Sequence, residues 1–458
     1  MVTRLRFLRP VPKLEMHTHR SLSKILSALL FLTEACAQTA VPPAGLTLAQ
    51  AVEQALKSNL QAKLAGERIT ESRAERGVGL SALLPNVAGV AYQMNLTTNL
   101  APQGLTASIF PGIPAFIGPF NRFDARFEMV QSLFNLASIR RYQATRYGVQ
   151  LAEQQQRLAD QQVTTITVLA YIGVLEARQS VAAAEANVEL ARRLLDLAVN
   201  QRNAGIATGL DVARAETRLA SQQVQLAQTQ TDLDTAGLNL LRVIGSPLAS
   251  RLSPAEEMRF QPQPPPEAAD AIRQALADRL ELRVASAELR IAEAEHKAAV
   301  GGWVPSVSAF GDYGSSGLKP NEVDLPTRSI GIRVDVPIFD GGRTRSEVQA
   351  AASRVRQAQM QLADLRAAVE KDVRQALDNL STREQQMRAA GKNRDLAQRE
   401  LSLAQDRFQN GVADNIEVTS AQTALENARQ IAVASLAQFN IARLNLFSAL
   451  GRAEGFSF

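Results

Sequence analysis

Bulky side chains are scarce in this chain. Only 5% of its 458 residues are aromatic, with a single tryptophan, and Ala, Leu, Arg and Gln dominate instead. That usage argues against an aromatic-rich globular core and suits long helices with few bulky core residues. One cysteine and three histidines are too few for a disulfide framework or for most metal sites. His296 stands in a polar helical context with no other ligand at metal-binding spacing, and there is no Gly-rich phosphate loop or nucleophile elbow. No catalytic residue, cofactor or metal site is therefore expected. The net charge of +5 is also misleading, because residues 1–37 carry six basic side chains against Glu15 and Glu34, which accounts for +4 of it. The rest of the chain is nearly neutral with its charges interspersed, which excludes the basic stripe that nucleic acid requires.

The basic segment reads as a secretory leader over 1–37. Arg20 and Lys24 precede an apolar run, Ile25 to Leu32, and Ala35-Cys36-Ala37 suits cleavage before Gln38. Met16 opens a more ordinary leader and is an alternative start. An ordinary cut after Ala37 and a lipoprotein reading in which Cys36 becomes the acylated first residue are both open; Thr33 and Glu34 stand where the latter prefers Leu and a small residue. Beyond the leader no uninterrupted apolar stretch approaches the roughly 18–20 residues of a membrane helix.

The remaining chain repeats itself. An offset of 206 aligns Leu197/Leu403, Gly205/Gly411, Val212/Val418, Leu238/Leu444 and Gly245/Gly451, and an offset of 220 aligns Ala51/Ala271, Leu60/Leu280, Glu75/Glu295 and Pro85/Pro305. Such self-similarity predicts two copies of one structural unit, over 38–251 and 267–458, joined by a Pro-rich connector over 252–266. Each copy contains one very long helix, about 136–203 and 342–409, without proline. In the second, Val348, Ala351, Val355, Ala358, Leu362, Leu365, Val369 and Ala376 form a coiled-coil seam. Shorter helices are expected at about 47–83, 210–244, 267–302 and 416–450, so that two short helices laid end to end match one long one.

Between the short and long helix of each copy the period becomes two. Ile330, Ile332, Val334 and Val336 alternate with Ser329, Gly331, Arg333 and Asp335; Phe123, Ala125, Phe127 and Met129 alternate with Asp124, Arg126 and Glu128. Partner strands follow Pro85 and Pro305, and loops are expected at 101–120 and 314–328. Strands of this length with one apolar face fit an outer-membrane barrel, although half-buried hairpins on a soluble sheet share the pattern. Four strands cannot close a barrel, and open edges are not tolerated in lipid, so a membrane reading demands an oligomer.

Three sets of residues carry a family resemblance: Leu46-Thr-Leu-Ala-Gln-Ala-Val-Glu-Gln-Ala-Leu-Lys-Ser-Asn59, Val336-Pro-Ile-Phe-Asp-Gly-Gly-Arg343, and the turns Gly205-Ile-Ala-Thr-Gly-Leu-Asp-Val212 and Gly411-Val-Ala-Asp-Asn-Ile-Glu-Val418. With the duplication, they resemble the outer-membrane efflux proteins, the TolC-like channels. The resemblance implies a mainly α protomer with a small membrane β part, four strands and six main helices. It implies a homotrimer that forms a barrel in outer-membrane lipid and a helical tunnel through the periplasm. It implies the exit duct of a tripartite pump, joined by a periplasmic adaptor to an inner-membrane transporter. A type I protein-secretion channel remains an alternative, and so, from the residues alone, do a soluble periplasmic coiled-coil scaffold and a periplasmic adaptor.

The same resemblance assigns candidate sites. Asp211 and Glu417 are expected at a periplasmic entrance constriction, though acids near a helix start also serve as caps. Gly205, Leu210, Val212, Phe408, Gly411, Ile416 and Val418 are expected on the adaptor-facing tip. Gly205 and Gly411 also suit the positive φ of a helix C-cap. Asp124, Arg126, Glu128, Arg333 and Asp335 would face the barrel lumen, and Trp303 would sit at the membrane interface. Ser420 and Ala413 depart from family patterns, standing where some members carry a second acid and a latch arginine; Arg202 replaces an aromatic that Phe408 supplies in the second copy.

Overall fold

A computed structural model describes residues 45–105, 108–250, 252–320, 325–410, 412 and 415–458. The leader with Met16 and Cys36 lies outside them, as do Gly411 and Ala413. The described helices are α1 (Leu48–Ser58), α2 (Leu60–Ser81), α3 (Leu136–Asn203), α4 (Gly209–Val243), α5 (Ala268–Asp278), α6 (Leu280–Val300), α7 (Arg343–Gln409) and α8 (Asn415–Ala449). The strands are β1 (Asn86–Asn99), β2 (Phe116–Phe134), β3 (Ser306–Gly317) and β4 (Leu325–Asp335). Helix, helix, strand, strand, long helix, helix is thus run through twice.

Six expected helical segments appear as eight because each leading helix breaks. Asn59 turns extended, accepts from the Gln61 amide at 2.9 Å as a fresh N-cap, and donates through Nδ2 to the Val243 carbonyl at 3.0 Å. α2 is thereby stacked on the end of α4. In the second copy Arg279 makes the same extended break, and Gly451, just past α8, meets the backbone of Asp278 and Arg279. Gly245 and Gly451 both have positive φ (67° and 76°) at these joints, where a Cβ would stand 2.6 Å from the Ser58 side chain or 3.1 Å from the Asp278 backbone. Two stacked columns, α4/α2 and α8/α6, therefore stand beside the two continuous helices.

α3 touches α2, α4, α6 and α8, while α7 touches α5, α6 and α8, so the layer runs α4/α2, α3, α8/α6, α7. On α7 the predicted seam buries Ala351, Leu362, Val369 and Ala376, and the heptad continues through Ala390, Ala397 and Ala404. α3 has one stretch apolar enough by composition to cross a membrane. The fold uses this helix as core instead: Val163, Val168, Tyr171, Ile172, Val174 and Leu175 are buried against α1, α4 and α8.

A strap crosses one face of this layer. It consists of α1, the connector, α5 and the tail after α8. Leu46 pairs with Ser253 and Ala255 through backbone bonds of 2.8 and 3.1 Å, the Tyr171 hydroxyl donates to the Leu46 carbonyl at 2.8 Å, and Arg178 donates to the carbonyls of Pro254 and Glu256, each at 2.9 Å. Farther on, Phe260 meets Phe439 edge to face at 5.0 Å, Ala271 and Ala275 join the core of α7, and Arg443 holds the Ser457 carbonyl at 3.1 Å. The prolines that stop helix formation thus leave an extended segment whose backbone finds partners on the main layer.

The four strands form one antiparallel sheet in chain order, and the central β2–β3 pair joins the two copies. The expected loop at 101–120 is shorter than predicted because β2 begins at Phe116, and the expected loop at 314–328 shrinks because β3 reaches Gly317 and β4 starts at Leu325. Pro119 misled the sequence reading. It falls at a ladder irregularity, beyond the part of β2 that pairs with β3, where a missing amide donor is tolerated.

Candidate functional site: hairpin tips and sheet face

At the far end from the sheet, α3 and α4 form one hairpin and α7 and α8 another. α3 ends with the Ile206 amide donating to the Gln201 carbonyl at 2.9 Å around Gly205 (φ 76°), the left-handed closure expected there. The equivalent bond, Val412 to Arg407, closes α7 at the same length. Thr208 then caps α4: Asp211 accepts from the Thr208 amide at 2.8 Å and hydroxyl at 2.7 Å in a reciprocal capping box. These two bonds hold the Asp211 carboxyl below its usual range. Glu417 faces Arg407 at 3.1 Å. Both acids expected at the constriction therefore sit at the tip, but one is turned onto its own helix and the other is matched by a cation.

The expected tip residues divide in two. Leu210 and Ile416, which match each other in the two turns, are more than half exposed, as are the matching pair Ile206 and Val412. Val212, Phe408 and Val418 are buried inside the hairpins and do not present a surface. The helical period explains the correction: Val212 and Val418 lie two residues beyond Leu210 and Ile416, on the opposite side of the helix.

Polar links join the hairpins, and the sequence reading missed them. Gln201 donates to the Phe408 carbonyl at 3.1 Å, Asn415 to the Asp211 carbonyl at 3.1 Å, and Arg429 to Asn187 at 2.6 Å. Arg218 on α4 reaches the buried Glu426 on α8 together with Thr423, while Gln222 donates to the same carboxylate at 3.1 Å. Burial pushes the Glu426 carboxyl up against the pull of Arg218. The partners lie more than 200 residues apart, and no local pattern could pair them.

On the sheet, Asp124, Arg126 and Glu128 share one face. Asp124 is fully buried there: Arg126 reaches it at 2.5 and 2.6 Å, Arg122 at 3.1 Å and Ser316 at 2.8 Å. Arg126 also donates to Asp312 at 3.0 Å, Ser329 binds Asp312, and Arg333 lies over the Phe310 ring at 5.4 Å. Glu128 and Asp335 are exposed. The opposite face carries Phe127, Met129, Ile330, Ile332 and Val334, with Ile330 and Ile332 85% and 70% exposed. A monomeric soluble protein rarely shows such a face to water. Trp303 is half exposed just before β3, and Ile338 and Phe339 stand free just after β4. Asp340 of that junction caps α7 by accepting from the Thr344 amide at 2.9 Å, as Asn135 caps α3.

The sequence profile of the outer membrane efflux protein family fits residues 51–246 and again 271–452, one match in each copy. The chain belongs to the outer membrane efflux protein family. It is 26% identical over 415 residues to the outer membrane efflux protein BepC of Brucella suis, spanning 89% of this chain and 85% of that one. It is 25% identical to the alkaline protease secretion protein AprF of Pseudomonas aeruginosa (82% and 78% of the two chains) and 25% identical to TolC of Escherichia coli (72% and 70%). Among solved structures, the CmeC outer membrane channel of Campylobacter jejuni superposes with a TM-score of 0.75 at 19% identity, covering 89% of this chain and 86% of that one. The outer membrane protein VceC of Vibrio cholerae gives 0.74 at 16% identity, covering 88% and 96%. These structures share the fold. This family member is accordingly an outer-membrane channel of the efflux and secretion kind.

Proposed function

We propose that three copies of this chain close their sheets into a twelve-stranded barrel and their helical layers into a tunnel of twelve columns, forming the exit duct of a tripartite system. The carrying observation is the sheet itself: β1 and β4 are edges within the chain, and an apolar outer face adjoins both. Open edges leave backbone amides without partners in lipid, and only closure with further copies removes them. Ile206, Leu210, Val412 and Ile416 would offer apolar contacts to a periplasmic adaptor, with Gly205 shaping the first turn. Asp211 and Glu417 would stand at the entrance, and Asp124, Arg126, Glu128, Arg333 and Asp335 would line the barrel lumen. The leader over 1–37, the copies over 38–251 and 267–458, and the connector over 252–266 belong to this reading. An inner-membrane transporter would select the cargo, so a small-molecule pump and a protein-secretion system would use the same duct.

The mass of the purified protein in detergent tests the assembly. A trimer is expected, and a stable monomer would refute it. Sidedness has its own check: Ile332→Arg should destabilise the assembled barrel by about 2–4 kcal/mol if it faces lipid near mid-depth, while Ser329→Arg should be milder. Equal effects on heat dissociation would reverse the assignment of faces.

A further inference from the structure

A polar cleft of about 530 Å³ opens in the helical layer where the stacked columns meet. Gln61, Gln162, Gln375, Asn379 and Asn445 line it as exposed amides, and Gln161, 7% exposed, keeps an Oε1 with no partner. The charges at the rim already satisfy one another: Arg279 donates to Glu281 at 2.9 Å and to Asp372 at 3.2 Å. What the cleft has to offer is uncharged donors and acceptors.

Three helices agree on the direction of this face. Helical residues advance by about 100° each. Gln162 lies two and a half turns from Tyr171, hence on the side of α3 opposite the side chain that holds the strap. Gln375 is two residues from Val373, which packs with Ala271 and Ala275 of α5, and Asn445 is two residues from Arg443, which holds the tail. Each amide thus points away from the strap. Twelve columns spaced 8–10 Å apart form a ring of about 15–19 Å radius, too narrow to enclose three straps and keep an open bore. The strap therefore lies outside, and the amides line the bore.

We propose that these residues form an amide belt on the tunnel wall that binds uncharged, hydrogen-bonding cargo, meaning neutral solutes rich in hydroxyl or amide groups; this rests on the trimeric-duct reading. Five exposed amides per chain become fifteen in three chains. Each presents a donor and an acceptor on one planar group, so a solute can exchange water for the wall and then one side chain for the next. Binding of this kind is weak and multi-site, which favours entry without preventing departure.

The test uses the trimer in planar bilayers, with maltotriose and a blocked triglycine (acetylated and amidated) each added from the barrel side. Reduction of current by either probe is expected, and the probe that acts at lower concentration identifies hydroxyl or amide cargo as the better fit. In the triple variant Gln375→Ala, Asn379→Ala, Asn445→Ala the concentration for half-block should rise on the order of tenfold, while Gln263→Ala in the strap leaves it unchanged. Unchanged block in an assembled triple variant would overturn the belt. Loss of the trimer in that variant would place the amides between chains and overturn it too. Asn445→Asp alone gives a second reading: a shift toward cation selectivity supports a bore-facing position, and no shift refutes it. Wild-type protein that forms no conducting trimer would sink the duct reading, and the belt with it.

Discussion

Leu238 and Leu444 occupy the same position in the two copies, each near the end of a 35-residue helix, yet Leu238 is 47% exposed and Leu444 is fully buried. The order reverses in the long helices, where Leu197 is packed among the hairpin cores and Leu403 is 64% exposed. Interior columns, α3 and α8/α6, are closely packed on both sides within the chain; edge columns, α4/α2 and α7, are closely packed on one, with α4 reaching α8 through the polar links near the tip. The polar residues follow the same rule. α8 buries Gln422, Glu426, Asn440 and Arg443 where α4 has Glu216, Ala220, Asp234 and Gly237. Local pattern makes both helices, and place in the layer decides what their faces must satisfy. An edge column leaves leucines uncovered within the chain, as an edge strand leaves backbone groups unpaired within the sheet.

The comparison can be broken most sharply at the leucines. Leu444→Ala should cost about 2–5 kcal/mol in thermal unfolding, because it empties a filled site. Leu238→Ala should cost much less in a dissociated chain, and should approach the Leu444 value in the assembled channel if a neighbouring copy covers α4. A small cost in both states would mean that this edge stays open.

A smaller effect is expected at the tie between edge and interior. Arg218→Ala leaves Glu426 with the charge of Arg429 alone and should cost about 1–3 kcal/mol, read as increased leak through the channel at neutral pH. The sign with pH follows from burial. The folded state holds the Glu426 proton more tightly than the unfolded chain, whose glutamate value is about 4.3. Stability therefore falls as pH rises from that value through the raised one. Removing Arg218 should widen this window, and an unchanged pH profile would show that the pair is not coupled to folding.

The smallest effect belongs to the cap on α4. Thr208→Ala should cost about 0.5–2 kcal/mol, measured by hydrogen exchange in the first turn. Asp211 has a depressed pKa, so its contribution is complete above the ordinary aspartate value of about 3.9 and disappears as pH falls through the lower folded value. Protection that does not decline on acidification would remove Asp211 from the cap.

Much of this architecture was legible in the amino-acid order. Seven-residue spacing of small apolar side chains specified the α7 seam, alternation specified the strands, and Gly205 with Asp211 specified a turn and a helix start, because each depends on neighbours within a few residues. The same reading failed at Asn59 and Arg279, where helices break to stack on others, and at Val212, Phe408 and Val418, whose burial depends on the opposite helix. Tertiary structure alone decided that β2 pairs with β3, that Arg126 bridges Asp124 and Asp312, that Arg218 meets Glu426, and that the amides turn away from the strap. Those pairings join residues that local periodicity treats as independent. Their register is set only when the copies pack, since a shift of one position on either side would leave buried charges without partners.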